Sequence, residues 1–287
     1  MFSGSVTISA YMTSSLNLNT KSAASHLGTL LRHWRGTRGR SQIDLSLDSG
    51  ISQKHISQVE SGRSVPSRQI LMDLAQALDV PLRERNTLLL AAGYAPMYPE
   101  GAWDAAEMQS INRVLERMLR QHEPFPALVM DRYWNVVMTN TSAPAFFNRF
   151  IDMSARPKPR NMLHLIFDPQ GMRPFVADWP AVAQSLMQRV YRESVGRVVD
   201  EKTRELLQAL LAYPDVKPQW QAPVQGATST LPIIPLSFVK DGKIMNYFSM
   251  VSTVGTPVAV AAQELRVECM FPADEATERE HMALMAA

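Results

Sequence analysis

Two short amphipathic segments separated by a four-residue turn, Gln42 to Gly62 (QIDLSLDSGISQKHISQVESG), restrict what this chain can fold into more than any other stretch. Ser41-Gln42-Ile43-Asp44 has the S-x-x-D form in which the serine caps a backbone N–H and the acid reaches back. Leu45 takes the core side, and Ser46 is small where two helices must approach closely. Gly50 permits the positive φ that turns the chain. Ser52 caps the second segment, whose inner side is Ile51, Ile56 and Val59. The outer side is entirely polar: Gln53, Lys54, His55, Ser57 and Gln58. A helix that only packs would vary that face among Lys, Glu and Ala. Hydrogen-bonding side chains near its N-terminal end are what a helix-turn-helix presents to base edges.

The flanking sequence completes a helical bundle. Leu27, Leu30, Leu31 and Trp34 recur at helical spacing, predicting a helix over about 23–38 that Gly39 ends. Ile70, Leu71, Leu74, Ala75 and Leu78 mark a fourth helix after Pro66-Ser67, and Pro81 opens a fifth that closes at Gly93. The expected layout is a disordered tail over 1–22, an all-α five-helix unit over 23–94, and a Pro- and Tyr-rich linker over 95–103. From Lys21 to Arg63 there are seven basic residues against three acidic ones; with a whole-chain charge of +2, the remainder nets −2. A basic end on a slightly acidic chain suits a phosphate-facing module.

Beyond residue 103 the pattern changes. A helix is expected from Met108 to about His122, then strands at 127–131 and 134–139 around Arg132-Tyr133. Helical, proline-punctuated segments come next at 141–150, 161–167, 178–194 and 199–213, and then β-like runs at 231–239, 243–253 and 264–271. Asp241-Gly242 is a strong hairpin turn. Two strands, several helices and three strands predict an α+β domain over 104–274 with one five-stranded antiparallel sheet, a PAS-like layout, and a C-terminal tail over 275–287.

Other classes are disfavoured. No apolar run approaches the ~18–20 residues that span a bilayer, and the N-terminus lacks the basic start and apolar stretch of a secretory signal. A single cysteine, Cys269, allows no internal disulfide and fits a reduced, cytoplasmic, nucleoid-associated protein. His164 and Asp168 stand four apart and His122 precedes Glu123, but no H-E-x-x-H, G-x-S-x-G or Gly-rich phosphate loop occurs. Neither catalysis, a metal nor a cofactor is expected.

The pattern SQxxLxxxxGISxxxISxxExGRxxPS, Ser41 to Ser67, resembles the Cro/C1-type (XRE) helix-turn-helix family. That resemblance places Gln53, Lys54 and Gln58 where bases are contacted, and Gln42 and Arg63 where phosphates are. Arg35, Arg38, Ser52, His55 and Ser57 are further candidate phosphate contacts. Ser46 and Ser49 stand where alanine is commoner. The longer stretch RGRSQIDLSLDSGISQKHIS…PSRQILMDLAQALDVPLRERNTLLLAAGYAPMYPE, with ALVMDRYWNVVMTN, LIFDPQGMRPFVADWP and STVGTPVAVAAQELRVECMFPADEAT, is similar to the subgroup that carries a C-terminal MmyB-like ligand-binding domain. It implies a PAS-like domain holding a small apolar ligand, fatty acids being a candidate class.

One such module reads few base pairs, so a homodimer on an inverted repeat of double-stranded DNA is expected. The candidate ligand pocket comprises Trp134, Val136, Met138, Phe146, Phe147, Phe238, Phe248 and Met250, adaptable residues suited to a flexible chain. Arg173, Arg189 and Arg192 are candidates for a carboxylate head. Alternating apolar residues are also plain core, and the C-terminal domain could instead be a protein-interaction or dimerisation module.

Overall fold

The computed structural model describes residues 25–101, 105–195, 200–221 and 236–286. The expected tail over 1–22 and the segment 231–235 of the third expected strand lie outside them. The chain divides into two compact units, with the main break after Glu100.

Five helices build the first unit: α1 (25–37), α2 (Gln42–Ser49), α3 (Gln53–Glu60), α4 (Arg68–Ala77) and α5 (Leu82–Ala91). The capping box is present: Ser41 Oγ accepts from the Asp44 N–H at 3.1 Å, and Asp44 Oδ2 from the Ser41 N–H at 2.8 Å. Gly50 adopts φ +71° and donates its N–H to Ser46 O at 3.0 Å, ending α2. Leu27, Leu31, Trp34, Leu45, Ile56, Val59, Leu71, Leu74 and Leu78 form the core of this unit. Gly28 is required where α1 crosses α3, because a Cβ there would meet Glu60 O at 2.3 Å.

The expected linker is partly built into this unit. Buried Asn86 on α5 accepts from the Met97 and Tyr98 N–H groups at 3.0 and 3.1 Å and donates to Tyr98 O and Glu100 Oε1, both at 2.8 Å. One amide that satisfies four partners pins 97–100 against α5.

The second unit contains α6 (Gln109–Gln121), β1 (Ala127–Met130), β2 (Val136–Thr139), α7 (Ser142–Asn148), α8 (Met162–Phe167), α9 (Trp179–Val195), α10 (Glu201–Leu211), β3 (Leu236–Lys240), β4 (Lys243–Thr253), α11 (Val260–Glu264), β5 (Arg266–Pro272) and α12 (Glu275–Ala286). The strands form one antiparallel sheet in the order β2-β1-β5-β4-β3. Asp241 and Gly242 have φ +50° and +75°, the two positive values of a type I′ hairpin turn. Asn140, 4% exposed, is the junction under the sheet. Its Oδ1 accepts from the Ala127 and Ala143 N–H groups, and its Nδ2 donates to Leu119 O and Phe125 O.

Two expectations change. Residues 275–286 are a packed helix and not a tail: Thr277 and His281 are buried, and Thr277 Oγ1 accepts the Asn246 N–H at 2.9 Å. Trp134 lies not in a strand but in the turn between β1 and β2, at φ +68°, where Asp131 Oδ1 accepts from the Tyr133 and Asn135 N–H groups. Among the described residues no helix is long and apolar enough to cross a membrane.

Candidate nucleic-acid interface and ligand domain

The geometry of α3 is set by its cap. Ser52 Oγ accepts the His55 N–H at 3.3 Å, which satisfies one of the free donors of the first turn. Ile56 and Val59 then point inward and are buried. Gln53, Lys54 and Ser57 are exposed, while His55 and Gln58 are half-buried beside them. Arg63 is exposed in the next loop, which is held to the helix by its N–H to Gln58 O at 2.9 Å. The result is a polar strip that begins at the helix N-terminus and continues into that loop.

The structure gives three of the expected phosphate contacts another task. Glu60, 3% exposed, accepts from Arg35 Nε and Nη2 at 2.7 and 3.0 Å and from Gln42 Nε2 at 2.7 Å. Arg35 Nη1 also donates to Arg40 O at 2.9 Å. The hydrogen bond to Glu60 raises the Arg35 pKa further, so the guanidinium stays charged. Arg35, Gln42 and Glu60 thereby tie α1, α2 and α3 together. Arg38 donates to Leu78 O and Asp79 O at 2.9 and 2.7 Å and lies over Trp34. Glu60 is not recognisable as an anchor from sequence, because its arginine stands 25 residues away. An acid closing an otherwise uncharged inner face was the one signal available.

The eight expected pocket residues do not share one cavity. Trp134, Phe146, Phe147 and Phe238 are buried core, with Val136 packed against them. The Phe146 ring centroid lies 5.4–5.6 Å from those of Phe147, Phe238, Tyr247 and His281, which is close-packed aromatic geometry. Phe248 and Met250 alternate with the buried Met245 and Tyr247 along β4 and therefore face the other side of the sheet. There Phe248 stacks on Phe271 at 5.4 Å, and Met250 is 58% exposed. Met138 joins that side because the register shifts by one residue: Val129 pairs with Met138, but Met130 with Val136. An extra residue in one strand reverses the face taken by the residues beyond it.

The candidate head-group arginines are engaged within the domain. Arg173 pairs with Asp215 at 2.6 Å, donates to Pro214 O and lies 3.7 Å from the Trp179 ring. Arg189 pairs with Glu193 at 3.1 Å and covers Trp134. The side chain of Arg192 lies outside the described residues. Cys269 is buried in β5, and that burial raises its thiol pKa.

Residues 111–284 match the model of the MmyB-like transcription regulator ligand binding domain. Residues 26–88 match a helix-turn-helix domain. A 57-residue stretch is 42% identical to an uncharacterized HTH-type transcriptional regulator, y4dL, of Sinorhizobium fredii (strain NBRC 101917 / NGR234); it covers 20% of this chain and 29% of that one. With a Cro/C1-type helix-turn-helix ahead of a domain whose match covers more than half of the chain, the protein belongs to the family of MmyB-like transcription regulators.

Proposed function

We propose that this protein is a sequence-specific DNA-binding transcriptional regulator in which Gln53, Lys54 and Gln58 read bases. The observation that carries this reading is the polar strip that starts at the capped N-terminus of α3, over an inner face of Ile56 and Val59 closed by Glu60. Lys54 can donate to guanine O6/N7 and a glutamine can pair with adenine N6/N7. Ser52, His55, Ser57 and Arg63 surround them as phosphate contacts, which set register without specifying sequence. Arg38 keeps an exposed flank for the same role, whereas Arg35 and Gln42 act through Glu60 by holding α3 in place. The functional species is a homodimer on an inverted repeat, with half-sites about one helical turn apart.

Lys54→Ala is expected to cost about 1–3 kcal/mol at its preferred base pair and little at other sequences. Fluorescence anisotropy on a mapped operator and on base-pair variants measures this. An equal loss on all sequences would make Lys54 a phosphate contact. A monomer by light scattering, with and without operator, would remove the dimer.

The C-terminal domain is proposed to bind a small molecule with an apolar body, a fatty acid being one class. The family match and the aromatic–methionine core support that reading. A specific observation favours a second one, a protein-docking domain. An apolar groove of about 410 Å³ lies between α6 and the ends of β4 and β5, with Val114 and Met118 exposed along it. Native mass spectrometry separates the two: a co-purifying small-molecule mass supports the first, and a stable protein partner without one supports the second.

A further inference from the structure

We propose that a cleft between the 153–160 loop, α8 and the end of α10 binds the carboxylate of a compact organic monoanion, with Arg160 as its cationic anchor. This rests on the ligand-binding reading of the domain and names a place and a chemistry for it. None of the eight residues expected to form an apolar pocket lines this cleft.

The cavity measures about 280 Å³ and is lined by Arg156, Arg160, His164, Asp168 and Tyr213, with Met153, Leu165 and two prolines as apolar wall. That volume is at the small end for ligand pockets, which run from about 300 Å³ upward. It suits a compact body.

Arg160 is half-buried, and among the described residues it has no acidic partner. Its Nη2 donates to Met153 O at 2.9 Å, while its Nε is buried without a hydrogen-bond partner. A guanidinium partly withdrawn from water without a counter-charge is unfavourable, and a bound carboxylate offers both charge and a planar pair of acceptors. Arg156 stands in the same wall but is paired with Asp168 at 2.6 Å. Two guanidinium groups and one carboxylate leave one positive charge, which a monoanion neutralises and a dianion overshoots. Burial lowers the His164 pKa, which favours its neutral form. Its Nδ1 meets Tyr213 Oη at 2.9 Å, so a polar pair faces the arginines.

The wall is built in advance of any ligand. Arg160 O accepts the Val136 N–H at 2.7 Å, and Asn161 Nδ2 donates to Tyr133 O and Asn135 Oδ1 at 2.7 and 3.0 Å. The arginine loop is thus fastened to the β1–β2 hairpin, and preorganisation reduces the ordering cost of binding.

The test is calorimetric titration of the full chain with benzoate, benzamide and phenyl phosphate. Benzoate should bind, benzamide should not, and phenyl phosphate should bind more weakly than benzoate. Arg160→Gln should weaken benzoate at least about tenfold. Asp168→Asn, which raises the cleft to two positive charges, should reverse the order and favour phenyl phosphate, so the proposal stays testable if the arginine variant does not fold. Benzoate binding that neither substitution alters would leave a ligand-binding domain whose site lies elsewhere and would overturn this cleft. Failure of all three probes to bind would overturn it too. Operator binding by the same samples reports on the regulator reading independently.

Discussion

The two units of this chain solve the same problem by different means. In the helical unit each helix carries its own start and stop, and the inward residues are set by helical spacing. Ser41, Ser52 and Ser67 each cap the next helix, and Gly50 turns the chain at φ +71°. In the sheet unit, distant amides join the parts. Asn140 links α6, the strand hairpin and α7, and Asn161 links α8 to that hairpin. Local signals build the first, and long-range polar satisfaction builds the second. The exceptions in the helical unit are Asn86, whose amide pins 97–100 against α5, and Glu60, a buried carboxylate that gathers three helices.

Four measurements would break or sharpen this contrast. Gly28→Ala tests whether the helical unit depends on one close approach. Placing a Cβ 2.3 Å from Glu60 O should cost about 4 kcal/mol, seen as lost hydrogen-exchange protection in α1 and α3 while the sheet stays protected. Next, Asn140→Ala leaves two N–H groups and two carbonyls without their partner. A loss of about 3 kcal/mol is expected, confined to the sheet unit. If the loss were under about 1 kcal/mol, a single amide would not be the junction described.

Glu60→Ala should cost about 2 kcal/mol by stranding Arg35, and should weaken operator binding although Glu60 itself is buried. Unchanged operator affinity would show that Arg35 and Gln42 do not position α3. The smallest effect is with pH. Burial lowers the pKa of His281, whose Nδ1 meets Tyr247 Oη at 2.8 Å and whose Nε2 meets Pro124 O at 3.1 Å. A depressed folded value means that the unfolded chain takes up the proton first. The stability contributed is therefore full above the ordinary histidine value of about 6.5 and declines as pH falls below it. The sheet unit should melt at lower temperature at pH 5 than at pH 7, and His281→Gln should flatten that slope. A rise in melting temperature toward pH 5 would contradict the sign.

Much of the fold was legible because its signals are short. The hairpin Asp241-Gly242 needs only two residues with positive φ, and β4 occupies Lys243–Thr253 as its alternation predicts. The helices α7 to α10 lie within about two residues of their expected bounds, inside the usual uncertainty of helix ends. The exceptions have physical causes. Helix α11 spans five residues, too few for a period to show. Helix α12 reads EATEREHMALMA, charged enough to resemble a tail, and is held by Thr277 and His281 through contacts 31 and 34 residues back in β4.

For the candidate site, sequence alone determined which side chains cap, turn and line the outer face of α3. Those are decisions taken within one or two helical turns, and residue type and spacing suffice for them. Tertiary structure decided what the remaining polar residues are for. Arg35 and Gln42 have the composition of phosphate contacts but meet a buried carboxylate; Met138, Phe248 and Met250 have the composition of a pocket but face away from it, Met138 after a shift of register and the other two by the alternation of β4. Arg160 sits in a stretch with no regular period, and only the fold half-buries it with no acidic partner among the described residues. A charge or an apolar side chain acquires its role from the partner that reaches it, and here those partners lie tens of residues away along the chain.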